Sequence, residues 1–546
     1  MPAVRPAPLI PSTGPCETVG AGGTVPVRGP WRLRTADPEL VPLARTLHTL
    51  LAPHLGDRLL PFGQGGEVRG GEPAEALELT FALGDTSYGA TPHGVSPAGL
   101  DTPADESYRL TVDGSGVHCH AATTQGLFRA GTTALQLLST AGPEDADDSV
   151  LGHHVRTDAP HYAWRGLMVD PARGFLSPAE LRRIIDLAAL YKFNVLHLHL
   201  TDNEGWRLEL PTLPELTADG SEHYTAREYT ELQRYAAERF LTVVPEIDLP
   251  GHCGTLRAAV PGLPAAPCPP ELSGRFPFVA PLDLQDERTH ALVDTVFAQL
   301  SALTDGPWVH IGGDEAVGMT ADSFAEAVRA LRASVRAHGK RPLGWQESSR
   351  AGIGPEDLAQ FWVDVPMMEL PADQAALDAR PELLALGQTM GFIEALRRFF
   401  ASADEDLERI LSGGGKVLLS PQSHLYLDRP YAPAIVPPQQ AEDAARLGFP
   451  SYPARSVAYT AAWDPSAHGV PEESVAGVEA TVFGESVRGL ADLTFLLLPR
   501  LASVAETAWT GRAPQWEEYR ERLAGHGRLW RERGLTHLEG TEIAWV

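Results

Sequence analysis

The sequence predicts an α/β protein, a (β/α)8 TIM barrel preceded by a small α+β domain. Two observations predict it. After residue 158 short apolar strands alternate with amphipathic helices about eight times, which is how parallel βα units read. Acids, imidazoles and tryptophans also gather where those strands stop, and a barrel places its site at that end.

Taken in order, residues 1–30 are rich in proline and glycine and are expected to form a tail. Residues 31–158 mix strand-like runs with a helical one. "SYRLTVDGSGVHCHA" turns at Asp113 to Gly116, and "GLFRAGTTALQLL" has helical periodicity. In the same run, the His118-Cys119-His120 triplet is the alternation of a strand rather than a metal motif.

Residues 159–546 supply the barrel. Its strands are expected at Gly166 to Val169, Val195 to Leu200, Thr242 to Ile247, Val309 to Gly312, Pro342 to Trp345, Gln360 to Val363, Val417 to Ser420 and Val478 to Phe483. The first barrel helix carries its own start signal: Ser177 as cap, Pro178 at the first helical position and Glu180 completing a capping box. Thr225 and Glu228 repeat the device. Near 367–414 the spacing breaks, and helical segments such as "GFIEALRRFF" form an insert between two strands.

Composition excludes several classes. With 44 basic and 71 acidic residues the net charge is −27, which disfavours nucleic acid and anionic membrane surfaces as partners. Four cysteines are too few and too scattered for a disulfide scaffold or a Cys-rich zinc site. No apolar run reaches the ~18 residues of a membrane span. The first residues lack the ~7–15-residue apolar region of an export signal. A cytoplasmic location is therefore expected, with a secreted form that has lost its leader as the alternative.

The chemistry concentrates in "HIGGDEA", where Asp314 and Glu315 stand side by side just past an apolar strand. Tryptophan faces stack on sugar rings and carboxylates with arginine bind hydroxyls, so this mixture suggests carbohydrate. Yet most glycosidases set two carboxylates on opposite sides of the scissile bond, ~5–5.5 Å apart when retaining and ~6.5–9.5 Å when inverting. Adjacent residues cannot easily straddle a sugar. The two acids should therefore do different jobs, with the nucleophile coming from elsewhere, the substrate included.

"WRGLMVDPARGF", "LYKFNVLHLHLTD", "VVPEIDLPGH", "HIGGDEA", "LGWQE" and "GVEATVFGES", in this order, resemble family 20 glycoside hydrolases, the β-N-acetylhexosaminidases. The resemblance spans about Glu106 to Trp509 and includes the small domain. It implies a retaining exo-enzyme without metal or organic cofactor. Its substrates would be terminal N-acetylhexosamine glycans or chitooligosaccharides, and the 2-acetamido oxygen would attack C1 to give an oxazolinium intermediate.

Carried over, Glu315 is the general acid and later base, Asp314 holds the acetamido nitrogen, and Tyr426 bonds the acetamido oxygen. Arg165 would bind ring hydroxyls, with Asp428 and Glu485 on the outer ones. Trp345 and Trp362 would wall the acetamido pocket, and Asp202 and His252 would sit beside the site. Asp248 is read as standing behind it. Departures are visible: Phe483 occupies a place where the family usually has tryptophan, Gly174 in "PARGF" one where a larger residue is usual, "TDNEGWR" varies from the commoner form, and the stretch between Trp362 and Tyr426 is longer than the family pattern, which would reshape the entrance or the aglycone preference.

Two other classes compete. His197 and His199 alternate on a strand and with His252 could ligate a metal, giving a metal-dependent barrel hydrolase. A carbohydrate-binding pseudoenzyme would share the fold, although the presence of both Asp314 and Glu315 argues against it.

Overall fold

The computed structural model describes residues 8–18, 23–62, 76–86, 89–140, 149–266, 279–364 and 370–546. Its first part contains strands β1 (Cys16–Thr18), β2 (Thr24–Pro26), β3 (Trp31–Thr35), β4 (Leu77–Leu83), β5 (Tyr108–Asp113), β6 (Gly116–Ala121), β7 (Val150–Gly152) and β8 (His154–Asp158). Six of them form one sheet in the order β1-β8-β5-β6-β4-β3, while β2 pairs with β7. The helices Val41–Leu55 and Thr124–Thr140 complete the small α+β domain. From Gly126 to Thr140 every residue is buried, because this helix has the sheet on one side and the barrel on the other.

Residues 8–18 and 23–30 are not a tail. Ile10 is fully buried and exchanges two hydrogen bonds with the Gln136 side-chain amide, and β1 is an edge strand of the sheet. Prolines had hidden this segment: they remove the periodicity that marks a packed element, but not the capacity of one apolar side chain to fill a slot.

The barrel closes from β9 (Trp164–Val169), β10 (Val195–His199), β11 (Thr242–Glu246), β12 (Trp308–His310), β13 (Arg341–Trp345), β14 (Leu358–Phe361), β15 (Lys416–Leu419) and β16 (Val475–Val482), with β16 back on β9. All eight expected strands are present, with ends shifted by up to three residues. Both capping boxes form, with Ser177 and Thr225 each accepting from the backbone of the glutamate three residues on.

Inside, the barrel is layered. Trp164, Val195, Trp308, Leu358 and Leu418 plug the end where the strands begin. Above them lies a buried polar layer in which Glu479 accepts from the indole N–H of Trp164 at 3.0 Å, from the Gln360 amide at 3.1 Å and lies 2.8 Å from His197 Nδ1. Higher still, Met168, Trp345 and Tyr426 meet side chains of the insert. The insert carries helices Gln374–Asp378, Pro381–Ala385, Met390–Phe400 and Asp406–Gly413, between β14 and β15.

Candidate active site

The turn after β12 shapes the site. Gly312 and Gly313 have φ of 70° and 97°, in the left-handed region that glycine adopts without strain. A Cβ on Gly312 would lie 1.7 Å from Asp248 Oδ1, so only glycine lets the β11 and β12 loops approach this closely. Asp248 Oδ1 then accepts from the Gly313 backbone N–H at 3.1 Å.

Glu315 itself has φ of 44°, and His252, which faces it, has φ of 41°. Non-glycine residues in this region carry strain, and both examples here stand at the paired acids.

The two neighbours share one partner and differ in another. His252 Nε2 lies 3.4 Å from Glu315 and 3.7 Å from Asp314, while Asp248 stands beside Asp314. Burial, with the Glu315 charge adding to it and His252 opposing, pushes the Asp314 carboxyl up to about 6. Burial and the nearby Asp314 hold Asp248 well above the usual carboxylate range, so Asp248 keeps a proton to give to the bond with Asp314. His252 is buried, yet Asp202 3.1 Å from its Nδ1, together with Asp248 and Glu315, raises it well above the ordinary imidazole value. It is an imidazolium facing the acid.

Asp314, Glu315, His252, Trp362, Tyr426, Asp428, Phe483 and Glu485 line one cavity of about 570 Å³. The Tyr426 ring stacks on Trp362, 6.0 Å away and 9° from parallel, and packs against Phe483 at 5.2 Å. Burial and the neighbouring Glu485 push Asp428 up to about 8, so at neutral pH it offers a hydroxyl donor as well as an acceptor.

Trp345 and Asp202 do not reach the cavity. Trp345 lies behind Phe483 and donates its indole N–H to Glu246 at 2.8 Å. Asp202 is fully buried behind His252, where it also pairs with Arg173 and His199.

Arg165 is a correction. It opens β9 at the barrel end remote from the cavity, and its guanidinium bonds Glu106 at 2.6 Å and the carbonyls of Tyr162 and Lys192. The cavity arginine is Arg173, eight residues on and past the C-terminal end of the same strand. It pairs with Asp202 at 2.6 Å and Asp170 at 2.9 Å, lies 3.8 Å from Glu485, and sits over the Phe483 ring. Position on the strand was the available signal: "WRG" opens it and "PARGF" follows its end.

Gly174, the second departure, is explained by the same loop. A Cβ there would lie 2.9 Å from the Gly484 carbonyl and 2.8 Å from that of Val487, so glycine lets the β9 loop lie on the chain after β16.

Three further groups had no assigned role in the sequence. Glu246 ties together His199 at 2.5 Å, His310 at 2.8 Å and Trp345. Glu347, pushed up to about 8 chiefly by burial, accepts from the Trp362 indole at 3.0 Å. The insert supplies one whole side of the cavity.

The imidazoles of the metal alternative do not converge on one point. His197 is held by Glu479 and Glu246, His199 by Glu246 and Asp202, and His252 by Asp202 beside Glu315. Among the described residues, the groupings of ligand-type side chains close enough to share an ion place these three histidines in separate sets. No helix of the described residues is long and apolar enough to cross a membrane.

Comparison with known proteins agrees with this geometry. A model of the glycosyl hydrolase family 20 catalytic domain matches residues 162–326 and 395–512, and one of that family's domain 2 matches residues 9–156. A β-N-acetylhexosaminidase of Cellulomonas fimi is 36% identical over 82% of this chain and 83% of its own length. A β-hexosaminidase of Akkermansia muciniphila is 31% identical over 81% and 87%. Among solved structures, the N-acetyl-β-hexosaminidase of Streptomyces plicatus in complex with Thio-NAglucal superposes with a TM-score of 0.75 at 28% identity, covering 99% of this chain and 98% of that one. A mutant of the S. plicatus enzyme was solved with its product, GlcNAc.

Proposed function

Because the chain belongs to glycoside hydrolase family 20, we propose that it is a retaining exo-β-N-acetylhexosaminidase, releasing terminal β-linked GlcNAc or GalNAc by substrate-assisted catalysis. The observation that carries this reading is the division of labour between Asp314 and Glu315. Asp314 has a protonated Asp248 beside it, and Glu315 is the nearer of the two to a cationic His252.

Asp314 as a carboxylate accepts the acetamido N–H and turns the acetamido oxygen toward C1, while the Tyr426 hydroxyl donates to that oxygen. As the oxygen–C1 bond forms, the glycosidic C1–O bond breaks and Glu315 gives its proton to the departing oxygen. Glu315 then takes a proton from the water that attacks C1, the ring oxygen–C1 bond of the oxazolinium breaks, and the acid is restored. Positioning makes the internal nucleophile effective, because its entropy is already lost on binding. Arg173, Asp428 and Glu485 bind the outer hydroxyls, and Trp362 with Tyr426 and Phe483 holds the apolar faces of the sugar and its acetyl group.

The reading is tested by comparing hydrolysis of an aryl β-N-acetylglucosaminide with the matching aryl β-glucoside. Turnover of the acetamide alone is expected. Comparable cleavage of the glucoside would require a protein nucleophile and would remove the mechanism, and no turnover of either would remove the activity.

A further inference from the structure

The cavity is about 570 Å³, whereas a single N-acetylhexosamine fills roughly 200 Å³ at the packing density of a protein interior. Its lining joins two chemistries. The paired acids, Arg173, Asp428 and Glu485 share it with apolar side chains, Leu370, Leu383, Leu386, Phe392 and Leu396 of the insert and Phe449, Pro450 and Tyr452 of a later loop.

The stretch between the two catalytic-domain matches, residues 327–394, holds most of the insert wall together with the barrel strands β13 and β14. The wall is built in. Phe392 and Leu396 are under a tenth exposed and pack with Trp362 and Tyr426, and Arg380 donates to the carbonyl of Ser451 on the facing loop. Leu386 lines the cavity yet is 53% exposed, which leaves a large apolar side chain half in solvent at the cavity mouth.

Resting on the activity proposed above, we propose that the insert forms the aglycone site and that it takes an apolar aglycone, an alkyl or aryl group, in preference to a further sugar. The leaving group of an exo-enzyme departs from C1 toward the open mouth, where the exposed Leu386 stands. A sugar placed there would set its hydroxyls against leucine, phenylalanine and proline, where few of them could be hydrogen-bonded. The polar side chains the insert offers at the wall are Arg380 and Gln388. An alkyl chain would instead leave water along its whole length, and each fully buried methylene strengthens binding about fourfold.

The test compares kcat/KM for methyl and hexyl β-N-acetylglucosaminides and for chitobiose. The two alkanols are similar leaving groups, so a difference between them reports aglycone binding rather than bond cleavage. Hexyl is expected to exceed methyl by about tenfold or more and to exceed chitobiose. Leu386→Asp, at an exposed position that folding does not need, should cut the hexyl-to-methyl ratio at least threefold.

Equal rates for hexyl and methyl, or a clear preference for chitobiose, would overturn the apolar site while leaving the hexosaminidase intact. A hexyl advantage that survives both Leu386→Asp and Leu383→Ser would put the contact elsewhere and overturn the assignment to the insert. Failure to hydrolyse any of the three would instead sink the underlying activity.

Discussion

In the proposed mechanism two adjacent carboxylates do different work, and the chain gives them different surroundings. Asp314 has a neutral carboxyl beside it, Glu315 lies nearer the cationic His252, and Glu315 and His252 both take left-handed backbone. This has a readable consequence in pH. Burial and the Glu315 charge place the Asp314 transition near 6, and the proposed mechanism needs its carboxylate form. The acid limb of the wild-type kcat/KM should therefore fall about tenfold per pH unit below 6, read with a substrate that does not titrate. In Asp314→Asn the rate should drop by about 10²–10³-fold and the limb near 6 should vanish. A limb that persists unchanged in the variant would assign that titration to another group.

At the scale of elements, the site is the set of turns after the barrel strands, and much of it was legible. Strands read as apolar runs, helix starts as capping boxes, and strand ends as clusters of acids, because each of these signals is local. What failed was long-range. Arg165 stands in a motif that looks functional, but its strand position puts it at the far end of the barrel, and it is Arg173 of the same βα unit that reaches the cavity. The length of the insert pointed to the entrance or the aglycone, but its helices show only that one face is buried, so which side chains line the wall was not legible. Ile10 was missed because a proline-broken stretch carries no period.

The β12 turn allows a direct test of how an element fixes the chemistry. Gly312→Ala introduces a Cβ where Asp248 Oδ1 already lies and strains a left-handed position by about 1–2 kcal/mol. The enzyme should stay folded yet lose activity by more than a hundredfold, as Asp248 leaves Asp314 and the acids shift. Wild-type kcat/KM in that variant would show that the close approach of the two loops is dispensable.

For the whole molecule, the small domain and the barrel are joined by buried charge. Glu106, from the small domain, accepts from Arg165 on β9 at 2.6 Å and from Arg129 of the small domain at 2.7 Å, all three being almost inaccessible to solvent. Nearby, Lys192 and the Trp509 indole reach from the barrel to Asp158. Cutting one such contact exposes a buried charge in both domains at once, so the chain should melt in a single transition. Arg165→Met leaves Glu106 with one guanidinium of two and should cost about 3 kcal/mol, the low end for breaking a buried pair, because Arg129 remains.

The pH dependence gives the sign. Burial alone would raise Glu106, but Arg165 and Arg129 hold it below the usual carboxylate range. Its contribution is thus present above the unfolded value, about 4.3, and is lost as pH falls through the lower folded one. Arg165→Met should therefore melt several degrees below wild type at pH 7, and the gap should narrow as pH falls through the lowered folded value of wild-type Glu106, below which the carboxyl is neutral in both. Because Arg165 lies far from the cavity, kcat/KM below the melting range should match wild type. A variant with unchanged melting but weakened substrate binding would return Arg165 to the site and reverse the assignment to Arg173.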